Sequence, residues 1–77
     1  PENPWVYRNR GLIYFYAKRW SDAERLLAQS LSMDSLVDQA GYYHALTQLE
    51  LGQTKQGCSW FKNSGTQIPE SKKNICR

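Results

Sequence analysis

"RGLIYFYAKRWSDAERLLAQS", residues 10–30, carries the pattern on which the fold turns. Large apolar residues recur at helical spacing, first at Leu12, Phe15 and Tyr16 and again at Leu26, Leu27 and Leu31. Gly11 interrupts the first run and Ala23 sits inside the second. A glycine in a helix interior costs about 1 kcal/mol relative to alanine, so close packing is the expected reason for keeping it. Between the runs, Ser21 stands three residues ahead of Glu24. This Ser-x-x-Glu capping box predicts a helix that starts there and runs to about Met33.

Reading outward, Asn3-Pro4 is a suitable start for a helix from about Trp5 to Ala17, because proline is accepted at the first helical position. "DSLVDQAGYYHALTQLELG", residues 34–52, predicts a third helix with Ser35 as its cap and Gly52 as its terminator. "TKQGCSWFKNS", residues 54–64, predicts a fourth, ended by Gly65. Pro69-Glu70 opens a short fifth segment to about Cys76. No strand pattern is present. Short connections force neighbouring helices antiparallel, so the expected fold is all-α: two helical hairpins and a tail.

Sliding the sequence against itself by 34 residues sets Gly11 on Ala45 and Ala23 on Gly57. It also sets Leu12 on Leu46, Phe15 on Leu49, Leu27 on Phe61, Ser30 on Ser64 and Ser35 on Pro69. Small residues thus recur where two helices would cross closely. A helix-turn-helix unit of this period resembles the tetratricopeptide repeat (TPR). Tyr7, Gly11, Tyr14, Trp20, Ala23, Leu27, Ser30 and Met33 carry the resemblance in the first unit, about residues 4–34. Ala45, Gly52, Gly57, Phe61, Ser64 and Pro69 carry it in the second, about 38–68, with a capping helix over about 69–76. The first unit departs from the family at Arg10, Lys18 and Ser35, the second at Gly41, Gln48 and Thr54. Two hairpins of an unrelated helical bundle would show similar small residues at their crossings.

The resemblance implies a right-handed solenoid fragment whose first helices line a concave groove for a peptide or partner helix. Carried over by position, the partner-binding set is Trp5, Arg8, Asn9, Leu12 and Tyr16, with Tyr42, Tyr43 and Leu46 from the second unit. Phe15, Gln39, Leu49 and Glu50 stand beside them. Leu12, Leu46 and Leu49 read equally well as core between the units. Some family members grip a carboxylate-ended peptide with a Lys and Asn clamp. Here Arg8 takes the Lys place but Leu12 and Tyr43 fill the Asn positions, so an aromatic groove for an apolar or amphipathic segment is the better expectation.

Cys58 lies seven residues before Gly65 and Cys76 seven after Pro69. On two antiparallel helices each is about 10 Å from the turn, so the pair sits level and a disulfide can close. That predicts an oxidising compartment, periplasmic or extracellular. Two buried free thiols in a cytosolic protein are the alternative.

Ten Lys and Arg against seven Asp and Glu give a net charge of +3, with the densest cluster at Lys72, Lys73 and Arg77. No apolar run reaches the roughly 18 residues of a membrane span, and no secretory leader pattern is visible. The Pro start in place of Met predicts an excised domain or a processed product. His44, the only histidine, has no spacing that ties it to a nucleophile, and no phosphate loop, carboxylate pair or zinc spacing occurs, so no catalytic residue, metal or cofactor is expected. The expected function is a non-catalytic protein-interaction module, part of a larger extracytoplasmic or assembly protein. A second copy of the chain, or the rest of a larger chain, is a further partner. The alternatives are a secretion-type chaperone domain that holds a client segment, and a basic surface for nucleic acid or anionic lipid.

Overall fold

The computed structural model describes residues 3–76, and the statements below concern those residues. Four α-helices follow one another: α1 (Pro4–Tyr16), α2 (Trp20–Met33), α3 (Ala40–Glu50) and α4 (Thr54–Ser64). No strand occurs among the described residues. Asn3 caps α1, its side chain accepting from the Trp5 N–H at 2.9 Å, with Pro4 at the first helical position.

The 34-residue period is written in backbone hydrogen bonds. At the end of α1 the Lys18 N–H donates to the Phe15 carbonyl at 3.0 Å and the Arg19 N–H to the Tyr14 carbonyl at 2.9 Å. At the end of α3 the Gly52 N–H donates to Leu49 at 3.2 Å and the Gln53 N–H to Gln48 at 2.8 Å. Each pair is a Schellman closure around a left-handed residue, Lys18 at φ 60° and Gly52 at φ 80°. The next helices then start at Trp20 and Thr54, again 34 positions apart.

This closure moves the start of α2. Arg19 holds the cap position and Ser21 lies inside the helix, so the expected capping box is not formed. Asp22 instead places a carboxylate in the first turn, 2.8 Å from Arg19, where it complements the helix dipole.

α1 and α2 pack antiparallel. A Cβ built on Gly11 would meet the Leu27 Cγ at 2.7 Å, and the Ser30 hydroxyl donates to the Pro4 carbonyl at 2.7 Å. Gly11 therefore lies closest to Leu27 and not to Ala23, one helical turn along from the expected pairing. In the second hairpin the expected pair does meet: a Cβ on Gly57 would lie 2.9 Å from the Ala45 carbonyl oxygen. Ala23, Leu26 and Leu27 fill the first crossing; Ala45, Leu46, Leu49 and Phe61 fill the second.

Two expected helices are shorter than their patterns. Residues 34–39 form turns, and α3 begins only at Ala40. Asp34 explains this: its carboxylate accepts from the Leu36 N–H at 2.9 Å, a local bond that competes with helix, and Ser35 caps nothing. The tail forms one 3-10 turn, Glu70–Lys72, in place of a helix to Cys76. Cys58 and Cys76 nevertheless lie at disulfide-bonding distance, their Cα atoms 5.4 Å apart. Ile68 and Cys76 pack on the Ala45–Leu46–Leu49–Phe61 cluster, and Lys72 pairs with Glu50.

Candidate functional site: the aromatic face of α1 and α3

α1 and α3 lie side by side because Phe15, near the end of α1, packs its ring against Tyr43 of α3, centroids 5.0 Å apart. From this contact a chain of edge-to-face rings runs in both directions. Tyr16 meets Phe15 at 5.3 Å, Tyr43 meets Tyr42 at 5.2 Å, Tyr42 meets Phe61 at 5.8 Å, and Phe61 meets Trp60 at 5.1 Å. Such pairs contribute about 0.5–1.5 kcal/mol each beyond the area they bury. Where the chain reaches the surface, the Tyr16 and Tyr43 hydroxyls share a hydrogen bond of 3.0 Å, and Tyr16 is 68% exposed. That hydrogen bond, together with burial, raises the Tyr43 pKa above its ordinary value.

The other end of the face is held by Arg8. Its guanidinium donates to the Asp38 carbonyl at 3.2 Å, to the Gln39 side chain at 3.3 Å and to the Asn9 side chain at 2.9 Å. It also lies 5.4 Å from the Trp5 ring centre. Arg8 thus straps α1 to the loop before α3, and its donors are engaged within the chain. Gln39, held in the left-handed region at φ 64°, belongs to this strap and not to the helix face expected for it.

The expected partner-binding residues divide into two groups. Trp5, Arg8 and Asn9 form one end of a surface, Tyr16 and Tyr43 the other, and half-buried Leu12 lies between them in sequence. Tyr42 turns toward Trp60 and Phe61 of α4. Leu46 is only 8% exposed within the core, so it presents no surface to a partner. His44 contacts Glu24 of α2 at 2.9 Å and helps join the hairpins. Of the basic cluster, Lys72 is paired with Glu50 and Lys73 with Glu70 at 3.1 Å; Arg77 lies outside the described residues.

A cleft of about 680 Å³ beside this face escaped the sequence reading; Leu36, Val37, Tyr42, Trp60 and Thr66 are among its walls. Its signal was the pair Leu36-Val37, which a helix over that stretch absorbed. Val37 is buried at 4% exposure, whereas Leu36 is 87% exposed. Large rings and hydroxyls on a helical surface offer stacking and hydrogen bonds.

No family model, no curated protein and no solved structure matches the chain. Fold and surface define an all-α molecule of two packed helical hairpins with a tyrosine-bearing face. Among the described residues no helix is long and apolar enough to cross a membrane.

Proposed function

We propose that the protein is a non-catalytic, TPR-like interaction module that binds an apolar or amphipathic segment of another protein along α1 and α3. The observation that carries this reading is the surface pair Tyr16–Tyr43, joined through their hydroxyls and backed by Phe15. Tyrosine supplies a large contact area at low entropic cost, with a polar tip for the partner's backbone. The Schellman turns repeated at 34 residues support the TPR-like reading. The internal engagement of Arg8 weighs against a carboxylate clamp. The Cys58–Cys76 pair supports an oxidising compartment, periplasmic or extracellular.

Selection from a displayed random-peptide library tests the proposal. The wild-type protein should enrich peptides bearing apolar residues. Replacing Tyr16→Ala together with Tyr43→Ala should weaken those peptides at least about tenfold while the far-ultraviolet circular dichroism stays unchanged. Full retention of affinity by the double variant would overturn the reading.

A further inference from the structure

The offset that superposes the two turns also superposes an open face of α1 on a covered face of α3. Val6, Arg10 and Ile13 correspond to Ala40, His44 and Thr47. In α3 these residues share one side of the helix, at i, i+4 and i+7. Ala40 and Thr47 are 0% exposed, and the His44 Nε2 lies 2.9 Å from the Glu24 carboxylate, so α2 covers that side. In α1, Val6 is 43% and Ile13 68% exposed. The Arg10 side chain has no hydrogen-bond or ion-pair partner among the described residues. The far end of the molecule differs: there Phe61 is buried and the tail packs over it.

We propose that the Val6–Arg10–Ile13 face is a docking site for an amphipathic helix of a different polypeptide, laid on α1 as α2 is laid on α3. The α2–α3 contact sets the chemistry: an apolar stripe at helical spacing, with a carboxylate over Arg10 as Glu24 lies over His44. A groove of about 450 Å³, lined by Arg10, Ile13, Tyr14, Arg25 and Leu26, continues the face onto α2. α1 contains no acidic residue, and Arg25 reaches only to 3.6 Å from Asp22, so the groove attracts negative charge. The same charges oppose a second copy of the chain docked face to face, because a two-fold axis would set Arg10 against Arg10.

The probe is a synthetic peptide with the sequence of residues 20–36, titrated into isotope-labelled protein and followed by amide chemical shifts. Shifts are expected at Val6, Arg10 and Ile13. Ile13→Asp, at an exposed position that leaves the fold intact, should weaken the complex at least about tenfold. Arg10→Glu should do the same, and a peptide carrying Glu24→Lys should restore binding to that variant. Shifts at Ala40 and Thr47 would mean exchange with the protein's own α2 and would overturn the proposal. So would shifts centred on Tyr16 and Tyr43, an unrescued charge swap, no binding at millimolar peptide, or a dimer that Ile13→Asp abolishes.

Discussion

The hydroxyls of Tyr16 and Tyr43, 27 residues apart in sequence, meet at 3.0 Å across the α1–α3 boundary. This bond is the largest cause of the raised Tyr43 pKa; burial comes second. Tyr16→Phe removes it, so the Tyr43 phenol should ionise at a lower pH in the variant, read by phenolate absorbance. The sign for stability follows from linkage. A folded-state pKa above the ordinary 10.0 means the folded chain holds this proton more tightly. Its contribution is complete below that value and is lost as pH rises through the folded pKa. Tyr16→Phe should therefore flatten the alkaline fall in melting temperature.

Gly11 and Gly57 hold the two crossings at close range, against different atoms. Gly11→Ala meets the Leu27 Cγ at 2.7 Å but the Leu27 backbone nitrogen only at 3.4 Å, and helix propensity offsets part of the clash. Gly57→Ala meets the Ala45 carbonyl oxygen at 2.9 Å, and backbone cannot move aside so easily. Thermal unfolding should rank Gly57→Ala as the more destabilising, by about 1–3 kcal/mol overall.

Lys18 and Gly52 occupy equivalent left-handed positions, but only glycine adopts that conformation freely. Lys18→Gly should stabilise the protein by roughly 0.5–1 kcal/mol in denaturant titrations, and Gly52→Ala should destabilise it by about the same amount. No atom lies within 4 Å of a Cβ placed on Gly52, so the second effect would report backbone conformation alone.

The four α-helices, their order and the small residues at the crossings were legible because each rests on local spacing; the capping helix expected over the tail was not formed. Gly11 and Gly57 announced close approach before any contact was visible. Ser21 misled because its cap pattern is local, while the start of α2 is fixed by hydrogen bonds reaching back to Tyr14 and Phe15. The stretch 34–39 misled because apolar periodicity outvoted Asp34, whose carboxylate holds the Leu36 N–H in a turn. On the candidate site, helical register placed Tyr16 and Tyr43 on facing helices, and it left Leu46 open between groove and core, which burial decides for the core. The strap made by Arg8 was not legible, since its bonds to Asp38 and Gln39 depend on tertiary packing.

The tail holds by the Cys58–Cys76 pair, the Lys72–Glu50 pair and little apolar area, because its one regular turn exposes most of its residues. A sequence separation of 18 corresponds to about 3 kcal/mol of stabilisation in the chain-entropy account. Reductant, or Cys58→Ser with Cys76→Ser, should lower the melting temperature. Amide exchange over residues 69–76 should rise before that of α1 and α2. Free thiols in a non-reduced sample, counted by mass after alkylation, would remove both the link and the support it lends to an oxidising compartment.

The most direct test of groove binding is the amide shift map of a library-selected peptide on the labelled protein at two salt concentrations. Shifts should form one patch around Tyr16 and Tyr43, extending toward Trp5 and Asn9, with affinity nearly unchanged by salt. Shifts confined to Lys72 and Lys73, with affinity that collapses as salt rises, would contradict the account and mark a basic surface in its place.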